Sequence, residues 1–432
     1  MMQRCTYWLM PLLLALLGPL QAAQLTASPA EPLQTVLDRA APGDEIILPA
    51  GRYQGGVTIR RSVQLIGQEG AVIDAAGRAH AIRIQAPGVV LRGLRLENWG
   101  RDLTELNSGI FVEPPAADVL IEGNSLHGPG FGIWLDAVQG GRISGNRIEG
   151  LAELRSQDRG NGVHLFNVRR VEVVDNEISH VRDGIYIDNS RQSLLRGNRL
   201  HDLRYGVHYM YAYDNRVEYN QTTRTRTGYA LMQSKRLTVI GNRSERDQNY
   251  GILMNNITDS LLRGNQVEAV QQGHSDHSDA HISGAEGKAL FVYNSQFNEF
   301  SGNCFSDSHI GIHLTAGSED NKIFGNAFTG NYKQVKYVAT RPQEWSRDGR
   351  GNYWSDYLGW DLNGDGLGDV PYEPNDAVDQ LLWRHPAAKV LMHSPAIQSL
   401  RWVQRQFPVF RPQGVRDSYP LMLEPPLGED SE

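Results

Sequence analysis

The feature that most constrains this 432-residue chain is a short phrase that returns, with small variations, from Gly109 to Asn326. Gly-Ile-x-Val opens at Gly109, and Gly-Ile, Gly-Val or a close relative returns at Gly132, Gly162, Gly184, Gly206, Gly228, Gly251, Gly287 and Gly311. A second file of Asn residues, nearly always preceded by Gly or Asp, stands at Asn124, Asn146, Asn176, Asn198, Asn220, Asn242, Asn265, Asn303 and Asn326. Most successive members are 22 or 23 residues apart, and the two wider gaps of 30 and 38 in the Asn file read as a coil plus an inserted loop. Repetition at this period decides the architecture before other signals are weighed.

Apolar residues keep the same beat. Three positions before each Asn come Ile121, Ile143, Val173, Leu195, Val217, Val239, Leu262, Phe300 and Ile323. Two positions after it come Leu126, Ile148, Ile178, Leu200, Thr222, Ser244, Val267, Phe305 and Phe328. Each repeat therefore carries short alternating strands between Gly, Asn and Asp turns, with no helical period. One such triplet cannot bury its apolar side alone, whereas coils stacked at about 4.8 Å share a continuous core. The expectation is an all-β parallel solenoid in which aligned Asn side chains hydrogen-bond from coil to coil.

The pattern resembles the right-handed parallel β-helix of pectate lyase-like proteins, in particular their carbohydrate-binding and sugar-hydrolase repeat group. The right-handed sense is implied by that resemblance alone.

Residues 1–23 hold an early Arg4, an apolar stretch from Trp8 to Leu17 and small residues at Ala22 and Ala23, which reads as a secretory signal. Residues 24–56 form the expected N-terminal cap, with a short helix over 33–39 that covers the open first coil. The solenoid proper is assigned to 57–333. Cys5 falls in the signal, leaving Cys304 as a turn neighbour with no partner for a disulfide. A formal charge of −7 and the lack of a basic run argue against a nucleic-acid groove.

Alternation along each Gly phrase points its second and fourth residues outward. The second-position file reads Phe111, Trp134, His164, Tyr186, His208, Ala230, Leu253, Ala289, His313. The fourth reads Glu113, Asp136, Phe166, Asp188, Met210, Met232, Asn255, Phe291, Thr315. His208, Met210 and Met232 thus fall together, and thioether with imidazole suits Cu(I). The competing reading packs the Met residues beneath a loop. Met254, at the inward third position, belongs to the core.

The expansion after Val270 contains His274, His277 and His281 with Asp276 and Asp279 between them. It reads either as a copper-capture loop or as a solvated loop. Asp276-His277 also leaves room for acid/base chemistry of a polysaccharide lyase or C5-epimerase, although the Asp-Pro-His-Asp signature of alginate epimerases is missing.

Beyond the repeats, residues 334–375 form a last coil in which Asp361, Asn363, Asp365 and Asp369, with Gly366, match the first part of a calcium loop. Position twelve is Tyr372 where such loops carry Glu, so an Asx-rich turn is the alternative. Residues 376–432 read as a helical tail, broken at Pro386 and Pro395, whose apolar residues and arginines either cap the solenoid or dock on a membrane partner.

The phrases at 351–379, Leu381-Leu-Trp-Arg-His-Pro386, Ser394-Pro-Ala396, Arg401-Trp402, Arg405-Gln-Phe-Pro408 and Gly414-Val-Arg-Asp-Ser-Tyr-Pro420, together with the coils, closely resemble the NosD family of periplasmic maturation proteins. The resemblance spans essentially the whole chain. It implies a non-catalytic role in forming the copper-sulfide centre of nitrous oxide reductase. It also implies an ABC-type assembly with the permease NosY and the ATPase NosF, and copper supplied by a lipoprotein chaperone.

Overall fold

The computed structural model describes residues 22–272, 274–275, 278–281, 286–315, 317–338, 341–374, 394–396, 399, 403 and 414–427. The expected signal over 1–23 lies outside them except for its last two residues, as does nearly all of 376–413.

The chain winds as a parallel β-solenoid with three sheets of 13, 12 and 13 strands, each strand pairing with its counterpart one coil away. One sheet holds the strands that precede the Asn file, such as Leu194–Arg196 and Arg216–Glu218. A second holds those that follow it, such as Arg199–His201 and Gln221–Thr223. The third is the Gly face, with Asp183–Asp188, Tyr205–Met210 and Thr227–Met232 in succession. Both expected apolar files are buried on the axis, including Thr222 and Ser244.

The Asn file forms a continuous ladder. Asn220 Oδ1 accepts from the backbone N–H of Asn198 at 3.0 Å and from its Nδ2 at 2.8 Å, while Asn220 Nδ2 donates back to the Leu195 carbonyl at 2.9 Å. Every member repeats this pattern, so no buried amide at the corner is left unpaired. The residue before each Asn sits in the left-handed region, as at Gly145, Gly197 and Gly241. That conformation is open to Gly and tolerated by Asp, which explains the dipeptide pattern.

The ladder runs two steps further than the repeat does. Asn326 N–H donates to Asn352 Oδ1 at 3.1 Å, and Asn352 N–H donates to Asp417 Oδ2 at 2.7 Å. Asp417 belongs to a segment expected to be helical. Instead, Val415–Arg416 pairs with Gln343–Glu344 and Asp417 bridges to Tyr372. Residues 414–427 therefore close the solenoid in extended form, whereas the described residues 395, 396, 399 and 403, within the stretch whose pattern reads as helix, are helical. The buried Asp417 carboxyl supplies the acceptor that the last Asn needs, and a helix could not place it there. Phe305, Phe328, Trp354 and Tyr372 stack across this end at centroid spacings of 4.4 to 5.3 Å.

At the other end the expected helix forms at Leu33–Arg39, with Leu33, Val36 and Leu37 buried. Gln34 accepts from the Thr58 N–H at 2.8 Å and donates to the Thr58 carbonyl at 3.0 Å, so its amide pairs with the free edge of the first Gly-face strand.

Candidate copper-handling face

The register brings the expected thioethers together: Met210 and Met232 are direct partners on adjacent parallel strands, and both are half-buried. Neighbouring strands lie about 4.8 Å apart, so the two side chains leave the sheet side by side. His208 stands two residues before Met210 on the same face, and Asp188 is the neighbour of Met210 one coil below.

His208 is 7% exposed and tightly framed. Tyr186 and Tyr205 meet its ring edge-on at 4.5 and 4.9 Å. Its Nδ1 lies 3.0 Å from Oδ2 of the fully buried Asp183, which also takes paired hydrogen bonds from Arg204 at 2.8 and 2.7 Å. Burial by itself would raise the Asp183 carboxyl. The hydrogen bonds and charges of His208 and Arg204 outweigh it and hold the carboxyl below its ordinary value. An ionised carboxylate only accepts, so Nδ1 carries the proton, and whenever the ring is neutral the lone pair is on Nε2. That Nε2 is buried with no hydrogen-bond partner. A carboxylate-oriented imidazole with one free nitrogen is how metal-binding histidines are commonly held.

Asp183 and Arg204 were missed in the sequence. Part of the signal was present, since the residue before the Gly phrase is a carboxylate at Asp183 where its neighbours are Tyr205, Thr227 and Tyr250, and the other carboxylate so placed in sequence, Glu286, gives way to Lys288 in the register.

The outward files need one correction. Phe291 pairs with Leu253 and His313, so it belongs to the second file, and Tyr293 is the partner of Asn255. Ala289 occupies the place of the phrase glycine, and Gly287 lies before it. A methyl group is small enough for that place, so glycine alone misleads there. Met254 is fully buried, as expected.

The other expected ligands fall on other segments of the chain. His274 pairs with His281 across a two-stranded antiparallel hairpin, where an irregular loop was expected. His277 lies outside the described residues. Asp361, Asn363, Asp365 and Asp369 lie at the C-terminal end, beyond the last Gly-face strand, Lys333–Val338. There Asp361 accepts from the N–H groups of Gly364 and Gly366 at 2.6 and 2.8 Å, and Asp369 accepts from Leu362 N–H at 2.8 Å. Tyr372 is 9% exposed, stacked on Trp354 and bonded to Asp356, so position twelve serves the end closure. Cys304 is half-buried beside Glu424, and burial first, then the nearby carboxylates, pushes its thiol up to about 11. Among the described residues no three His, Cys, Asp and Glu side chains gather as a metal site, so thioethers must contribute if copper binds here.

The family model described as "Periplasmic copper-binding protein (NosD)" matches residues 144–359, which contain the whole of this face. The chain belongs to the NosD family. A "Probable ABC transporter binding protein NosD" of Pseudomonas aeruginosa is 57% identical over 411 residues, covering 94% of this chain and 96% of that one. Two solved structures share the fold at low identity. A family 28 exopolygalacturonase of Yersinia enterocolitica aligns with TM-score 0.53 and 12% identity over 74% of this chain and 76% of its own. PfbA, a surface adhesin of Streptococcus pneumoniae, gives 0.55 and 11% over 72% and 91%. An enzyme and an adhesin on one scaffold mean that the NosD fold leaves the activity to its side chains. The NosD family is periplasmic by its model's description. No described helix is long and apolar enough to cross a membrane.

Proposed function

We propose that this chain is a non-catalytic periplasmic accessory protein that holds copper as cargo for the copper-sulfide centre of nitrous oxide reductase. His208 Nε2, Met210 and Met232 would bind it as Cu(I), and the His274/His277/His281 insertion would serve as a separate capture point. The observation that carries this reading is the unpartnered, carboxylate-oriented His208 Nε2 beside a thioether pair in register. Soft sulfur and imidazole donors favour Cu(I) over hard cations. The family's copper-binding description and the ABC-transporter name of the relative support the rest. The chain would be exported by its signal and held at the inner membrane by NosY with NosF. It would receive copper from a lipoprotein chaperone and pass it to apo nitrous oxide reductase. Calcium, if bound by Asp361, Asn363, Asp365 and Asp369, would be a structural ion at the far end.

Competition titration with a Cu(I) chelator tests the site. The His208→Ala/Met210→Ala/Met232→Ala variant should lose at least about a hundredfold in affinity, with an unchanged far-UV spectrum. Equal affinity would reject the assignment. Incubation with alginate or pectin should leave both sugars intact, and unsaturated or epimerised products would favour a lyase or epimerase instead.

A further inference from the structure

The corner that follows the Gly-face strands carries its own vertical file. Arg169, Arg191, Tyr213 and Lys235 pair successively by single parallel bridges, one residue per coil. Arg169, Arg191 and Lys235 are exposed. The Arg191 guanidinium lies 5.3 Å from the centre of the Tyr213 ring and the Lys235 ammonium 5.2 Å from it, so one ring is flanked by two cations. Charges elsewhere on the coils are mostly neutralised locally, as in Arg204–Asp183, Arg224–Asp202 and Arg236–Asp214. Among the described residues Arg169, Arg191 and Lys235 make no ion pair of that kind, Asp214 being paired with Arg236 and feeling Arg191 and Lys235 only as more distant charges, and Arg170 adds another exposed cation at the first step.

Arg169 and Arg191, on adjacent coils about 4.8 Å apart, repel each other, and the contacts of Arg191 and Lys235 with the Tyr213 ring offset only part of the cost of gathering three cations in one file. Such a file is also out of character for a chain of formal charge −7. The file is tied to the copper-handling face by sequence: each member stands three residues after a fourth-file residue. Arg191 follows Asp188, Tyr213 follows Met210 and Lys235 follows Met232. Anything seated on the ridge therefore lies beside the thioether pair.

We propose that this ridge docks a carboxylate-rich segment of a protein that exchanges copper at Met210 and Met232. The docking function stands on the charge file alone, and its link to copper exchange rests on the reading given above. Unpaired cations steer an acidic partner and fix its register, while Tyr213 holds the two flanking cations apart and facing outward.

The test uses the full chain and a fluorescent oligoglutamate peptide, followed by anisotropy. Binding should weaken steeply between about 50 and 200 mM salt. Arg169→Glu/Arg191→Glu/Lys235→Glu should weaken it at least tenfold. A charge-matched control, Arg60→Glu/Arg101→Glu/Lys322→Glu, should weaken it less than threefold. Equal loss in both variants, or no loss in the first, overturns the proposal. So does a preference for phosphatidylglycerol vesicles or a single-stranded oligonucleotide over the peptide, because either makes the ridge a general polyanion surface. Cu(I) affinity measured in parallel should stay unchanged in the ridge variant. Loss of copper binding in the His208 variant with intact peptide binding, or the reverse, separates failure of one reading from failure of the other.

Discussion

The Asn ladder and the outward Gly face are built by the same device, one side chain per coil stacked into a file, yet they end in opposite states. At the Asn corner every amide donates and accepts, and even the last N–H finds Asp417. On the Gly face the second file leaves buried ring nitrogens without partners at Trp134, His208 and His313. A file that satisfies itself needs only to be stable, because unpaired buried groups cost about 1–3 kcal/mol each. A file that leaves ring nitrogens buried and unpartnered carries that cost, and of these rings His208 is the one oriented by a buried carboxylate beside a thioether pair. The contrast separates scaffold from site more cleanly than composition does, since both files are rich in nitrogen.

The largest expected effect belongs to the ladder. Asn220→Ala removes the Asn220 acceptor of Asn198 N–H, one of the two acceptors of Asn198 Nδ2 and the Asn220 donor to the Leu195 carbonyl, all buried. Destabilisation of about 4 kcal/mol or more should follow, read as a fall in the urea midpoint, with Cu(I) affinity of the folded fraction unchanged. A loss below about 1 kcal/mol would show that the coils stand without the ladder, and the comparison would fail on its structural side.

The ladder's last step should respond to pH. Burial raises the Asp417 carboxyl from 3.8 to about 6 against the hydrogen bonds from Trp354 and Asn352. A folded-state value above the unfolded one makes the protonated form the more stable. The closure is thus tightest below about pH 4 and loosens as pH rises through about 6, by no more than about 3 kcal/mol for a two-unit shift. Hydrogen exchange at the Asn352 and Tyr372 amides, measured at both ends of that window, should speed up at the higher pH. Asp417→Asn should flatten the difference, and an unaltered slope would assign it to another group.

On the Gly face, Asp183→Asn tests whether the unsatisfied nitrogen is there by design. Removing the carboxylate frees the His208 tautomer and should lower Cu(I) affinity about tenfold to a hundredfold. A compensating affinity in the variant would mean that His208 is oriented by Tyr186 and Tyr205 packing alone.

Period and polarity made the scaffold legible. The Gly/Asn spacing gave three files per coil, and the Asn residues were read as a ladder because nothing else suits a buried amide at a turn. The thioether pair was legible for the same reason, since strict register turns spacing in sequence into adjacency in space. What escaped was set by contacts that no period encodes. Asp183 reaches His208 across one coil and Asp417 reaches Asn352 over 65 residues. The helical reading of the tail extends too far: its described residues at 395, 396, 399 and 403 are helical, but 415–416 pair as a strand with Gln343–Glu344, a contact that the apolar pattern before residue 408 does not encode. Ala289 hid one coil's register because a small residue can replace the glycine that marked the others.

The smallest effect concerns the loop at the solenoid's end, a third way of treating polar groups. Asp361 and Asp369 face backbone N–H groups of their own loop, so they are satisfied without an ion, as the Asn ladder is. Asp369 is also exposed and Asp361 half-buried, whereas His208 is buried. With Tyr372 committed to the stack on Trp354, no bidentate carboxylate completes a calcium shell, and affinity in the weak range of about 10⁻⁴–10⁻³ M is the most such a loop supports. At calcium near that dissociation constant, linkage gives about 0.4 kcal/mol, a shift of the thermal midpoint of about one degree. Asp361→Asn should abolish that shift while leaving the calcium-free midpoint within about 1 kcal/mol, because Asn Oδ1 still accepts from Gly364 N–H and only the exposed Gly366 N–H loses its protein acceptor. A shift several times larger would mean that the loop reorganises to recruit a further oxygen ligand, and the end of the solenoid would then be an ion-dependent closure.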